Sequence, residues 1–341
     1  MKVDEIRELY LKFFERKNHS RMGSDSLVPQ NDPTLLFTGA GMNQFKEYFL
    51  GLKKDLKRAT SSQKCLRTGD LDEVGRTPYH HSFFEMLGNF SFGDYFKKEA
   101  IHWAWEFLTH DLKISKNRLR ISVHQDDKEA FDIWKNEINI RPDWLYKLGD
   151  KSNFWPTNAP LEGPNGPCGP CSEIYYDQGE DPKNPHDCNL ECNCRRFTEI
   201  WNLVFTQFDR RDQGLLVPLA QKNIDTGMGL ERLARLLQQK PNNYEIDIFQ
   251  VINAAVRKNL NLSADLKSPH IYGISDHIRA ITFTMNDGVI PSYEGRGYVI
   301  RKLIRRAVWQ GRMSQMKKPL LAPMVPLVVK VLKRSIPSSN K

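Results

Sequence analysis

In the first stretch of the chain, MKVDEIRELYLKFFERK, apolar residues fall at Val3, Ile6, Leu9, Tyr10, Phe13 and Phe14. This three-and-four spacing predicts an amphipathic helix. Pro, Asn and Gly then interrupt residues 27–45 too often for a helix, leaving room for a short strand at Thr34–Thr38. Segments Lys57–Arg67 and His81–Gly93 read as strands joined by a polar loop, and Lys97–Leu112 and Lys128–Ile138 as helices. CSEIYYD (171–177) and FTEIWNLVFTQFDR (197–210) predict two more strands, the second long and central. A further strand ends at Asp225, and Gly227 opens a helix. From Tyr244 onward the pattern is almost wholly helical, at 244–260, 275–286 and 297–311. Hairpin-linked strands followed by helices predict an α+β fold: a mainly antiparallel sheet flanked by helices, then an all-helical region. The boundary falls near residue 243, dividing the chain into 1–243 and 244–341.

Composition adds limits to this outline. The chain has 341 residues, 40% hydrophobic and 11% aromatic, enough for a large core and about two domains. No run of about 18 apolar residues is present to predict a membrane span. The N-terminus is too charged for a signal peptide, so a cytoplasmic location is expected. The net charge is +9 and unevenly spread: Arg296, Arg301, Lys302, Arg305, Arg306, Arg312, Lys317 and Lys318 follow one another after Glu294 without an intervening acid. The four-residue spacing of Arg301 with Arg305, and of Lys302 with Arg306, places them on neighbouring rows of a helix. A solvated surface helix normally intersperses acids, so this face is expected to hold a polyanion, and Arg296, Arg301, Arg305 and Arg306 are its candidate ligands.

Five of the six cysteines crowd into residues 168–194: Cys168, Cys171, Cys188, Cys192 and Cys194. In a cytosolic chain this argues against a disulfide framework, and such spacings suit a tetrahedral structural zinc, with His186 a further possible ligand. The alternative is that CGPC is a tight turn whose thiols bind nothing.

The chemistry centres on NIDTGMGLERLARLLQ (Asn223–Gln238). A dinucleotide fingerprint needs a third glycine where Arg232 stands, and a Walker loop needs Gly-Lys-Ser/Thr, which is absent. What remains is a carboxylate, Asp225, able to take an ammonium, glycines that permit close backbone approach, and a planar cation at Arg232 for a purine or phosphate. A capped helix behind a simple turn would carry the same residues. A second segment, CLRTGDLDEVGRTPYHHSFFEMLGNFSFGDYF (Cys65–Phe96), sets an arginine on one strand and aromatics on the returning one, with Phe83 and Phe84 on opposite faces. An arginine for phosphate and a ring for purine make a workable nucleotide site, although a hairpin with core phenylalanines would look similar.

Six stretches, PQNDPTLLFTGAGMNQFK, HHSFFEMLGNFSFGDYFK, GPCGPCSEIYYD, EIWNLVFTQF, DTGMGLERL and SDHIRAITF with DGVIPS, lie between residues 29 and 292, over most of the chain. Together they resemble the class II aminoacyl-tRNA synthetases, and within them the alanyl-tRNA synthetase family. The resemblance implies an alanine–tRNA ligase using ATP and Mg²⁺, with alanine and the acceptor stem of tRNA-Ala as partners. Cys65–Gly93 corresponds to the family's motif 2 and Asp225–Arg232 to motif 3. Carried over, Arg67 contacts the ATP α-phosphate and the alanine carboxylate, Phe84 stacks on adenine, and Arg232 covers its other face. Asp225 pairs with the alanine ammonium; Met42, Trp155, Val204 and Gly227 enclose the methyl group, and Glu173 serves the metal–phosphate side. The editing domain and C-terminal oligomerisation region of the family are expected to be missing from a chain ending at Lys341, its helical tRNA-recognition region to be incomplete, and the chain to be monomeric.

Three features depart from the family pattern. The loop RTGDLDEVG lacks the usual Gly-Lys-His-Asn stretch, and Lys64 and Arg76 are the cations at hand to replace its lysine. Tyr293 stands where the family has an asparagine that touches the acceptor stem. The cysteine cluster occurs in some members only. Two other functions fit a synthetase-like chain: an RNA-binding paralogue with a decayed site, and a ligase that loads alanine onto a non-tRNA carrier.

Overall fold

Helix α1 (Val3–Arg16) buries the stripe that its spacing predicts, with Val3, Ile6, Tyr10, Phe13 and Phe14 shielded from solvent and Asp4 and Glu5 in its first turn. Each such side chain contributes about 1.5–3 kcal/mol by leaving water. The computed structural model describes residues 1–30, 32, 35–69, 71–179, 188–192 and 196–333. Beyond α1 the elements are β1 (Ser20–Arg21), α2 (Lys46–Phe49), β2 (Arg58–Leu66), β3 (Phe83–Phe92), α3 (Lys97–Glu106), β4 (Leu119–His124), α4 (Lys128–Asp132), β5 (Leu145–Leu148), α5 (Asp150–Asn153) and β6 (Phe154–Trp155). Three long strands follow, β7 (Gly166–Asp177), β8 (Phe197–Arg210) and β9 (Leu216–Gly229). The helices α6 (Leu230–Leu237), α7 (Asp247–Leu260), α8 (Pro269–Asn286), α9 (Gly295–Met313) and α10 (Leu321–Leu332) complete the chain.

The strands form one sheet in the order β1-β2-β3-β9-β8-β7-β4-β5, with β6 paired to β7. Every pairing from β2 through β4 is antiparallel; only β1 with β2 and β4 with β5, at the two edges, run parallel among the described residues. This is the mainly antiparallel α+β sheet that the pattern implies. Several expectations change in detail. Residues 35–38 form no strand, and Thr34 lies outside the described residues. Strand β9 runs on to Gly229, so its helix begins at Leu230 and not at Gly227. Strands β4 and β5 and helix α10 are not legible as periodic segments. Helix α8 begins at Pro269 because Ser268 caps it, its side chain accepting the His270 N–H.

The long register of β3, β9, β8 and β7 places Phe90, Asp225, Val204 and Cys171 in one row across four strands. Alternation then splits β9: Ile224 and Met228 face the core, while Asp225, Gly227 and Gly229 face the opposite side. The main hydrophobic cluster runs from Val3 in α1 to Leu332 in α10, so the core is continuous across residue 243. Helix α8 packs on β3, where Phe283 stacks on Phe83 at 4.9 Å.

Candidate active site

On the face of the sheet away from α1 lies a pocket of about 270 Å³, lined from strands β3, β6, β7, β8 and β9 and the segments around them. It gathers Arg67, Phe84, Trp155, Glu173, Val204, Asp225, Gly227 and Arg232, eight of the residues singled out in the sequence. Ala40, Tyr79, His80, His81, Met86, Thr157, Glu199, Asn202, Gly229, Glu231 and Asn243 also line it. Phe84 faces it because the pleat turns Phe83 to the core, where that ring is 1% exposed. Arg67 follows the last residue of β2; its Nε donates to the Gly39 carbonyl at 3.0 Å, and its guanidinium lies 5.2 Å from the Phe84 ring centre.

Asp225 sits deep in the pocket. Burial pushes its carboxyl up from 3.8 to about 7, because no cation or donor among the described residues offsets the lost hydration. Glu173, on β7, is driven up to about 8, first by burial and then by the like charge of Glu199. It accepts hydrogen bonds from Asn202 Nδ2 at 2.9 Å and from the Tyr175 hydroxyl. Glu199 in turn holds Arg232, whose Nη1 donates to its carboxylate at 2.9 Å and to its carbonyl oxygen at 2.7 Å. The pocket therefore has an anionic floor, with Arg67 and Arg232 as its cationic groups.

Phe84 and Arg232 are each adjacent in sequence to a clamped carboxylate, Glu85 on the core side of the sheet and Glu231 at the edge of the pocket. Glu85 is bound by Arg7 of α1 at 2.6 and 2.7 Å and by Ser62 at 2.9 Å. Glu231 pairs with Arg279 of α8 and accepts the Glu85 N–H at 3.0 Å. These buried charges are paired and hydrogen-bonded on several sides, which locks the strand and helix that carry the two planar groups. At the entry to β3, Asp276 of α8 accepts the Ser82 N–H at 3.0 Å and bonds the Ser82 hydroxyl and His81 Nδ1. Burial acts to raise its pKa, yet bonds from His277 and His81 hold it well below the usual carboxylate range.

The glycines act through space and not through turn geometry. Neither Gly227 nor Gly229 has a positive φ. A Cβ on Gly227 would stand 3.0 Å from Met86 Sδ, closer than ordinary van der Waals packing, so Met86 would have to give way into the pocket. Met42 does not line the pocket: it is buried one layer behind, in a cluster with Ala40, Phe45 and Phe90 against Trp155 and Met86. Ala40 and Met86 take the place expected for it. Lys64 is tied to Asp287 at 3.0 Å and Arg76 lines a different groove, so neither cation enters the pocket.

The zinc expectation does not fit the cysteines of β7. Cys168 is fully buried with Phe154 and Ala159, and Cys171 is buried beside Asn153, which lies 3.9 Å from its sulfur. Burial raises both thiols, Cys168 to about 11 and Cys171 well above 9, opposing the thiolate that a metal needs. CGPC is also no tight turn. Gly169 lets β7 cross β8 closely, since a Cβ there would meet the Phe205 carbonyl oxygen at 2.1 Å. Cys188 is disulfide-bonded, where the sequence argued against a disulfide framework, and Cys192 is a free, half-buried thiol. Cys194 and His186 lie outside the described residues. Among the described residues no three metal-binding side chains gather.

A second groove, of about 730 Å³, runs along α9 between Arg301, Lys302, Arg305 and Arg306 and the exposed rings of Tyr293, Tyr298 and Trp309. Two of the four arginines expected to meet a polyanion are committed within the protein. Arg296 donates to the Leu35 and Leu36 carbonyls at 3.1 and 2.6 Å; Arg306 bonds Asp72 at 2.6 Å and the Leu71 carbonyl at 2.7 Å. Arg301 and Arg305 are exposed.

The family description tRNA synthetases class II (A) matches residues 5–340. The chain belongs to this family. It is 54% identical over 326 residues to the alanine–tRNA ligase of Carboxydothermus hydrogenoformans, covering 94% of this chain and 37% of that protein. It is 48% identical over 340 residues to the alanine–tRNA ligase of Acetivibrio thermocellus, covering 98% and 38%. The chain thus spans less than two-fifths of the length of these relatives. Among solved structures it is similar to the aspartyl tRNA synthetase of Entamoeba histolytica, at 13% identity and a TM-score of 0.41, covering 72% of this chain and 57% of that one. In this class II chain the sheet pocket brings Arg67 and Phe84, from the segment Cys65–Gly93, together with Asp225 and Arg232. Sequence reasoning misses Glu199, Asn202, Met86 and Tyr79. Met86 was available by alternation from Phe84, and Asn202 from Val204; Glu199 was not, because the strand shifts register between it and Asn202. No helix among the described residues is long and apolar enough to cross a membrane.

Proposed function

We propose that the chain carries the alanine-activating and alanyl-transferring site of a cytoplasmic alanine–tRNA ligase. Asp225 is the observation that carries the reading. A buried carboxylate without a partner is costly unless a cation arrives, and the pocket around it is walled by Val204, Trp155 and Gly227, with room for a methyl group. An amino acid whose ammonium meets Asp225 directs its carboxylate toward Arg67. ATP lies with its purine at Phe84 and Arg232 and its α-phosphate at Arg67. The alanine carboxylate oxygen attacks the α-phosphorus, the bond to the bridging oxygen breaks, and pyrophosphate leaves. Little proton transfer is needed, so Arg67 acts by stabilising charge as it moves from carboxylate to phosphate, and the sheet acts by alignment.

Glu173 and Glu199 fit Mg²⁺. Two adjacent carboxylates, one pushed up to about 8 by burial and by its neighbour, favour a bound cation. Mg²⁺ held there together with ATP would neutralise phosphate charge. In the second step a ribose hydroxyl at the 3′ end of tRNA-Ala displaces AMP from the adenylate, and the groove on α9 receives the acceptor stem through Arg301, Lys302 and Arg305. The identities of 48–54% with alanine–tRNA ligases, extending over the pocket segments, support this choice of amino acid. Alanine-dependent exchange of pyrophosphate into ATP tests the first step, and charging of tRNA-Ala transcripts tests the second. Exchange with glycine or serine but not alanine would overturn the pocket assignment. A chain that exchanges with alanine yet charges no tRNA would overturn the RNA part alone.

A further inference from the structure

Arg232 begins in the first turn of α6 with its side chain 29% exposed, and a guanidinium on a free stem has many rotamers. A plane that must meet a purine needs its tilt fixed as well as its end. Glu199 fixes the end, through the two bonds to Nη1. The Arg232 guanidinium carbon also lies over the ring of Tyr79, 5.7 Å from its centre. We propose that Tyr79 is a positioning residue of the nucleotide site, holding the Arg232 guanidinium by its face so that the opposite face is presented to the purine. The proposal rests on the reading of the pocket as an ATP site.

Tyr79 is itself held on both sides. The Asn243 N–H donates to the Pro78 carbonyl at 2.8 Å, and the Tyr244 hydroxyl donates to the His80 carbonyl while accepting the Gly75 N–H at 2.9 Å. Asp276 pins Ser82 further on, and the His80 ring packs against Tyr79 at 4.6 Å. The segment between the two strands of motif 2 is thus shaped by residues that lie after the catalytic strands in the chain. The Tyr79 hydroxyl has no hydrogen-bond partner among the described residues, so the ring is what acts, through its electron-rich face.

The test compares Tyr79→Ala, Tyr79→Phe, Arg232→Ala and the Tyr79→Ala/Arg232→Ala pair in the full chain, by pyrophosphate exchange and by calorimetric titration with ATP. Tyr79→Ala is expected to raise the KM and Kd for ATP about 3–10-fold, with the KM for alanine and the Tyr79→Phe variant staying within about twofold of the parent. In the Arg232→Ala background, Tyr79→Ala should change nothing further. A loss in Tyr79→Phe equal to that in Tyr79→Ala, equal shifts in both KM values, or full additivity in the double variant would each overturn the proposal. A parent chain that binds ATP but exchanges no pyrophosphate would overturn the proposed function, while the calorimetric comparison still decides the role of Tyr79.

Discussion

Replacing Asp225 with Asn should make the free protein more stable and the enzyme inactive. The native fold pushes this carboxyl from 3.8 up to about 7 by burial alone. At 1.36 kcal/mol per pKa unit, that rise corresponds to roughly 4 kcal/mol of cost for holding the ionised form in the folded state. Because the folded pKa is raised, stability is complete below the unfolded value and is lost as the pH climbs through 7. Roughly half of the loss, about 2 kcal/mol, falls between pH 5.5 and 8. The amide of Asn carries no charge, so its own burial cost does not vary with pH. Urea unfolding of parent and Asp225→Asn at pH 5.5 and pH 8 should therefore show the stability difference moving by about 2 kcal/mol in favour of the variant at the higher pH. Alanine-dependent exchange should fall more than about a hundredfold in the variant, since the ammonium loses its counter-charge, while ATP titration stays unchanged. In the parent, the KM for alanine should rise as the pH drops below 7, because a protonated Asp225 cannot pair with an ammonium. A stability difference that does not change with pH, or a variant that still activates alanine, would refute the argument that Asp225 is an uncompensated buried charge awaiting its substrate.

Three other substitutions probe separate parts of the structure. Arg67→Ala should remove about 3–5 kcal/mol of transition-state stabilisation, read as a fall of about two to four orders of magnitude in kcat/KM for exchange with little change in the unfolding midpoint. Gly169→Ala should destabilise the chain by about 3 kcal/mol in urea unfolding, since the new Cβ would lie 2.1 Å from the Phe205 carbonyl oxygen and backbone would have to move. Arg301→Ala/Arg305→Ala should weaken binding of tRNA-Ala and lower the slope of log affinity against log salt by about 0.9 for each phosphate that is no longer neutralised, leaving alanine activation unchanged. An unchanged salt slope would place the RNA elsewhere.

Much of the pocket was legible because β-structure converts sequence parity into facing direction. Phe84 against Phe83, and Asp225 and Gly227 against Ile224 and Met228, follow from alternation once the strands are recognised. Glu199 shows where parity fails. Continued alternation from Val204 and Asn202 would set Ile200 in the pocket. The pairing of β7 with β8 instead passes from Ile174↔Trp201 to Tyr175↔Glu199, so Ile200 is skipped and buried and Glu199 takes its side. A bulge of this kind depends on the partner strand. The cysteines misled for a related reason: their spacing suits a metal, but Cys168 and Cys171 fall on a strand that the rest of the sheet buries. Met42 was a matter of depth, since an apolar residue near a site can stand in its wall or one layer behind.

The sequence by itself determined the α+β class, the extent of α1, β2, β3 and β8, and the residue types at the pocket's two motifs, because these rest on local periodicity and on chemistry confined to short segments. Tertiary structure alone decided which charges remain available. Arg296 and Arg306 are engaged by loop carbonyls and Asp72, and Lys64 by Asp287, while Asp225 has no partner among the described residues and Arg232 is gripped by Glu199 and Tyr79. Those partners lie tens to hundreds of residues away along the chain, so only the folded arrangement of strands and helices decides which charges meet.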